Sequence, residues 1–486
     1  MQSHGIWVTA AFLLLAGGAR GQANPPYYAS SPTNSSTSSS SPSVSTPAAP
    51  QAQSPYFQSV PAQPIPGILK ISLLDAIDRG LKHNLGVLLS DDATLAARGK
   101  RWQELSHLLP NVNGAVGEHL EQIDLAAEGI SFPGVPTIVG PFGYFDARAF
   151  YSQPIVDLHA INNVRAQTQY VRAAQYTYKD ARELVVLAVG LNYLQTISDA
   201  ARLETAKAQT QTAQALYDQA SDQLKAGTSA NIDALRAQVE LQTQQQQIIA
   251  ARNSLEKQKL ALARVIGLAP GQQFEITDTE PYDAFTPASV EEELQKAYTL
   301  RSDFKSAEAN VRAAEYALKA AKEQYLPSVL FNADYGDIGV NPGNSHGTVD
   351  VAGTLKIPIF DGGQTHGDAL RAQATLKQNQ QQLENIKAQI DQDVRDALLD
   401  LQSAAQQVQV ARSNTDLANQ TLAQAKDRFA AGVTNNIEVV QAQQSVTSAS
   451  ESYISSLFNY NYAKISLARA VGSAEQGVKD YLKGKQ

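Results

Sequence analysis

Two hydrophobic periods alternate along this chain, and each occurs twice. In 329–335 the odd positions are apolar or aromatic (Val329, Phe331, Ala333, Tyr335), while Asn332 and Asp334 are polar. After a glycine-bounded stretch from Gly336 to Gly347, expected as a turn or loop, Val349, Val351, Leu355, Ile357 and Ile359 alternate with Asp350, Thr354 and Lys356. A period of two means a strand with one apolar face. Weaker copies stand at 112–123 and 144–156, joined by a longer stretch that carries Phe132-Pro133-Gly134 and Gly140-Pro141. Each strand is about ten residues or slightly more, the length that a tilted strand needs to cross a bilayer.

Behind each strand pair the period changes. Val171, Tyr178 and Val185 recur at intervals of seven, as do Leu376, Leu383 and Ile390. A sustained seven-residue stripe predicts coiled-coil packing. Asp157 and Asp361 are placed to cap these helices, which run about 65 residues without a proline, or about 100 Å. Before each strand pair a short helix opens at Ser72 or Ser289. A second helix stops at Leu109-Pro110 or Leu326-Pro327, because proline cannot continue the ladder. This second helix is about 25 residues and the one that ends each repeat is about 37. Stacked end to end, the two match one long rod.

The chain is therefore duplicated. Leu224-Lys225-Ala226-Gly227, Asn231-Ile232-Asp233 and Leu262-Ala263-Arg264-Val265-Ile266-Gly267 return 205 residues later as Phe429 to Gly432, Asn436-Ile437-Glu438 and Leu467-Ala468-Arg469-Ala470-Val471-Gly472. A glycine just past a helix is the usual left-handed cap, and Ser, Thr or Asn after it can start the next helix. Each copy is thus a helical hairpin with a tight tip. The repeats are assigned to 67–269 and 289–472, with 270–288 between them and 473–486 as a tail.

Residues 6–16 form an apolar run too short to span a bilayer, followed by small residues; 1–23 is read as a signal peptide. Residues 24–66 are rich in Ser and Pro, bury too little apolar surface to offset their ordering entropy, and are expected to be disordered. The chain has no cysteine, which rules out disulfides, thiolate metal sites and an acylated N-terminal cysteine. A net charge of -8 argues against nucleic acid as a partner. No later stretch has eighteen uncharged apolar residues, so a membrane crossing would use strands that close into a barrel. Four strands cannot close one, since about eight is a practical minimum. Three chains would give twelve strands and twelve helical rods.

The doubled plan, Leu-Pro before the strands, Pro358-Ile359-Phe360-Asp361-Gly362-Gly363 after them, and an acid six residues past each tip glycine together resemble the TolC-like outer membrane efflux proteins. The resemblance covers about 68–472. It implies a mainly α fold with a small transmembrane β part, in which a homotrimer forms a 12-stranded β-barrel continuous with a 12-helix α-barrel. It also implies outer membrane lipid around the barrel, a periplasmic adaptor and an inner membrane transporter of RND or ABC type. No cofactor, metal or enzyme activity is expected.

In that family, acids matching Glu438 line the periplasmic constriction. Three copies of Glu438 would make a negative ring, with Asp233 as its twin. Equally, an acid in a first helical turn can simply complement the helix dipole. Gln441 stands where some relatives carry a second acid, and Thr434 where some carry a locking arginine. Gly227 and Gly432 are the candidate adaptor-docking tips, with a plain helix cap as the rival. Tyr144, Phe145, Phe331 and Tyr335, with Phe150 and Tyr151, are candidates for an aromatic girdle at the membrane interface, against ordinary strand packing. An efflux duct, an exit duct for secreted polypeptides and a periplasmic coiled coil remain the competing functions.

Overall fold

A computed structural model describes residues 54–127, 129–130, 133–279, 285, 287–434 and 436–477, within one compact unit from 52 onward. The signal peptide, most of the Ser/Pro-rich segment, Phe132, most of 280–286 and the end of the tail lie outside the described residues.

The first repeat runs β1 (Leu69–Ile71), α1 (Leu73–His83), α2 (Leu85–Ser106), β2 (Asn111–Asp124), β3 (Ile138–Val156), α3 (Leu158–Lys225) and α4 (Asn231–Val265). The second runs β4 (Phe274–Ile276), α5 (Val290–Leu300), α6 (Ser302–Glu323), β5 (Ser328–Gly339), β6 (Ser345–Lys356), α7 (Gln364–Ala430) and α8 (Asn436–Val471). The caps of α1 and α3 are those that the sequence predicts, whereas α4 is preceded by Ala230 and has no side-chain cap, because Thr228 and Ser229 bond the Gln223 carbonyl and the Asp233 carboxylate instead. Ser72 accepts from the Asp75 N–H at 3.2 Å while Asp75 accepts from the Ser72 N–H at 3.1 Å, a reciprocal capping box. Asp157 accepts from the Ala160 N–H at 2.9 Å. Asp361 sits two residues outside its helix yet still accepts from the Thr365 N–H at 2.9 Å.

The two long helices have 68 and 67 residues. Their neighbours are 22 residues before each strand pair and 35 or 36 after each tip. α2 and α4 both pack on α3; α6 and α8 pack between α3 and α7. The wall is therefore α2 with α4, then α3, then α6 with α8, then α7. The short helices meet end to end, as their lengths require. Gly267 closes α4 at φ 71° against His83, the last residue of α1, just ahead of α2. Gly472 closes α8 at φ 81° against Arg301, which precedes α6. Neither contact leaves room for a Cβ.

At this junction β1 pairs with β4 in parallel, and Tyr193 of α3, fully buried, donates to Asp278 at 3.0 Å. Val185, Val189 and Ile465 are fully buried around it. α3 alone among the described helices is apolar enough to cross a membrane by composition, and its apolar stretch is this core. In the second repeat Arg301 holds Asp303 at 2.6 Å and Asp393 at 2.7 Å, and Arg469 holds Asp180 at 2.6 Å. Burial pushes the Asp180 carboxyl above the usual carboxylate range. Burial also works against a charged Asp303, but Arg301 beside it outweighs that and holds it low.

Three expectations change. Residues 54–66 are not disordered: Val60 donates to the His83 carbonyl at 2.8 Å and Ala62 to the Gly267 carbonyl at 2.9 Å, so this strap is tied by its backbone across the rod junction. The loop expected at 336–347 is mostly strand, with only 340–344 left for the turn. Two of the glycines that suggested a loop are there because backbones come close: a Cβ on Gly336 would run into the Ala147 carbonyl, and one on Gly339 into that of Asn344. For the same reason of pairing, β3 starts at Ile138 and includes Gly140-Pro141, since Asp124 pairs with Ile138 past a bulge.

Candidate functional site: an amphipathic sheet and two helical tips

The four longer strands form one antiparallel sheet in the order β2-β3-β5-β6. Paired residues share a face, so the register sorts the side chains. Val112 lies opposite Tyr151, Val116 opposite Ala147, Ala149 opposite Tyr335, and Tyr335 opposite Val349. That face is mainly apolar, with Glu118, Gln153 and Asp337 as its charged or polar members. Its Val116, Leu120, Val349 and Val351 are 76%, 79%, 70% and 62% exposed, with nothing among the described residues covering them. The other face is polar. Arg148 there donates to Asp334 at 2.5 Å and Asp146 at 3.3 Å, and Ser152 to Asn332 at 2.8 Å. Among the described residues, β2 and β6 each have an edge that no further strand pairs.

The same register divides the candidate girdle. Phe145, Tyr151, Phe331 and Tyr335 are on the apolar face, with Tyr151 and Phe331 edge to face at 5.9 Å. Tyr144 and Phe150 are on the polar face, where Tyr144 stacks on His119 at 4.9 Å. Tyr144 therefore cannot share one lipid-facing girdle with Phe145. Consecutive residues of a strand point to opposite faces.

The tips lie at the far end of α3 and α7, about 100 Å from the sheet by helical rise. Both close the same way. The Gly227 N–H donates to Leu224 and the Thr228 N–H to Gln223, each near 3.0 Å; Gly432 and Val433 repeat this on Phe429 and Arg428. This pair of bonds is the Schellman cap, and it needs the positive φ of 75° at Gly227 and 69° at Gly432. Around both glycines the space where a Cβ would stand is open. The glycines thus serve the cap, and the surface beside them is free.

The tip acids do not stand alone. Arg428 Nη1 lies 2.8 Å from Glu438 Oε1, and Thr434 donates to the other carboxylate oxygen. Asp233 accepts from Ser229 at 3.2 Å and has Arg236 at 3.7 Å. Gln441 and Arg236 line a groove of about 500 Å³ between α4 and α8, together with Ile232, Leu235, Val239 and Ile437. The two hairpins are joined by Asn436, fully buried, whose Nδ2 donates to the Asp233 carbonyl at 2.9 Å. The sequence reading missed Arg428 and Asn436. Arg428 is the third helical residue before the cap, which leaves it facing the first turn of α8; that position is its one signal.

Comparison with known proteins agrees with this arrangement. The family model described as outer membrane efflux protein matches residues 97–268 and 294–473. AprF, an alkaline protease secretion protein of Pseudomonas aeruginosa, is 22% identical over 322 residues, which is 63% of this chain and 65% of AprF, just under two thirds of its length. SepC, a probable efflux pump outer membrane protein of Pseudomonas putida, is 23% identical over 379 residues and 76% of each chain. The fold is that of the crystal structure of VceC, an outer membrane protein of Vibrio cholerae, with a TM-score of 0.70 at 18% identity over 82% of this chain and 96% of that one. With both repeats matched, the chain belongs to the outer membrane efflux protein family and is an outer membrane protein of the Gram-negative kind.

Proposed function

We propose that three copies of this chain form an exit duct through the outer membrane, within a tripartite efflux system. The observation that carries this reading is the sheet: one bare apolar face, one charged face, and two free edges. In lipid, each free edge would leave backbone groups unsatisfied at several kcal/mol apiece. Closing three sheets edge to edge into twelve strands satisfies them, puts Val116 and Val351 against lipid, and turns Arg148 and Asp334 inward. The helical rods then continue the tube into the periplasm.

On this reading the tips form the inner mouth. Gly227 and Gly432 present the surfaces for a periplasmic adaptor, which couples the duct to an inner membrane transporter of RND or ABC type. Glu438 and Asp233 surround the constriction, with Gln441 above them. Arg428 offsets each Glu438, so the ring is weaker than three bare carboxylates. A second reading, export of polypeptides, is supported by the similarity to AprF. Planar-bilayer recording with detergent-extracted protein tests the duct: discrete conductance steps are expected, and their absence from folded protein rejects it. A deletion strain assayed against drugs, metals and secreted proteins separates efflux from export.

A further inference from the structure

The apolar alternation of β6 does not stop where the strand stops. Pairing ends at Lys356, opposite Ser328, because Pro327 offers no N–H beyond it. The odd positions Val349, Val351, Leu355, Ile357 and Ile359 nevertheless remain apolar, and Phe360 joins them before the chain turns at Gly362 and Gly363. Ile359 and Phe360 are 96% and 89% exposed. Just before β5, Tyr325 and Leu326 are exposed at the same height.

A neighbouring copy does not account for this surface. Pro358-Ile359-Phe360-Asp361 is the twin of Pro154-Ile155-Val156-Asp157. In the first repeat the adjoining strand is present, and Val156 pairs with Val329 of β5. Ile155 is still 58% exposed there, and Val156 is exposed too. A position that its partner strand leaves bare in one repeat is left bare by the equivalent partner in the other. The bare link is continuous with the apolar face of the sheet.

At the end away from the rods the same face turns acidic. Beyond the row of Gly114, Ala149, Tyr335 and Val349 come Asp337, opposite Ala147, and then Glu118, opposite Phe145. Both acids are exposed. From Val349 to Ile359 is ten residue steps. At about 3.3 Å per residue and about 40° of tilt this is about 25 Å, the height of the apolar band of a membrane barrel. We propose that the hydrocarbon of the membrane fills this interval, so that lipid reaches below the sheet onto the link between β6 and α7. Ile357 and Ile359 are then in lipid, Phe360 and Tyr325 lie at the inner headgroups, and Asp337 and Glu118 stand among the outer ones. A layer of the same height ending at Leu355 would reach Ser345, enclose Asp337 and leave Ile359 in water. This depth rests on the duct reading, since only a membranous sheet has an inner and an outer edge.

The absence of native cysteine makes the test direct. The single variants Val349→Cys, Val351→Cys, Gly353→Cys, Leu355→Cys, Ile357→Cys and Ile359→Cys each carry a nitroxide in protein reconstituted into phosphatidylethanolamine–phosphatidylglycerol vesicles. Relaxation by oxygen is compared with relaxation by a water-soluble nickel chelate. The ratio should peak at 353 and 355, with 349 and 359 alike at the two edges. A peak at 349 and 351, with 359 open to nickel, overturns the depth and leaves the duct standing. A label at 359 that is closed to both reagents shows that a second copy covers the link, which overturns the depth too. If every position is open to nickel, the sheet is not in lipid and the duct reading falls with the inference. A variant that fails to fold is dropped, and the rest still locate the peak.

Discussion

Arg428 and Glu438 stand ten residues apart on either side of a helical tip, and their side chains meet at 2.8 Å. The pair is half exposed, so it adds at most about 1 kcal/mol to stability and is weakened by salt. If the tips form the mouth as proposed, its consequence is for charge there. Glu438→Ala should lower cation preference in planar-bilayer recordings. Arg428→Ala should raise it by uncovering the acid. Unchanged selectivity in both variants rejects an acidic constriction and leaves Glu438 as a partner of the helix dipole.

Gly432 separates docking from capping. A side chain there meets open space, but at φ 69° it strains the backbone by about 1–2 kcal/mol. Gly432→Ala should therefore loosen the tip, read as faster proteolysis at 431–435, without dissociating trimers. Gly432→Trp should also impair co-purification with the adaptor. Loss of trimers would mean that the cap is the whole of its role.

The sheet glycines are not equivalent. A Cβ on Gly336 would sit 2.4 Å from the Ala147 carbonyl, while one on Gly353 meets nothing within 4 Å. Gly336→Ala should reduce folded protein in the outer membrane several-fold, and Gly353→Ala should not. Heat-modifiability on unboiled gels gives the comparison.

Arg301 is 5% exposed in its side chain and balances Asp303 and Asp393. Arg301→Ala takes the partner from two partly exposed carboxylates, 24% and 37% exposed in their side chains, so it costs less than the about 3–5 kcal/mol of breaking a fully buried pair. The pH dependence has a definite sign. In the wild type Asp303 is held low, so its contribution is present above the unfolded value of about 3.9 and lost as pH falls. In the variant the pull of Arg301 is gone; burial still raises the carboxyl while Arg469 and the Phe304 N–H still lower it, so less of that contribution is present. The melting-temperature gap between the two proteins should narrow as pH falls below about 4. A constant gap would show that the cost lies in lost packing rather than in the charge on Asp303.

Much of the fold was legible because it is periodic. The heptads at Val171 and Leu376, the capping aspartates and the doubled tip glycines each carry their own signal. Strand ends are obscured in the sequence where Gly336 and Gly339 look like turn residues but serve close backbone approach. The division of Tyr144 from Phe145 was available from alternation alone and was overlooked. The partners of the tip acids were not legible. Arg428 reaches Glu438 only through the geometry of the cap, and Asn436 reaches Asp233 only because two hairpins pack side by side. Contacts of that kind have no period.

The most direct test of the duct is the mass of the undissociated complex extracted from purified outer membranes. Three chains per particle, converting to one on heating, are predicted. A single chain per particle, or recovery of the protein only in the soluble periplasmic fraction, would contradict the account.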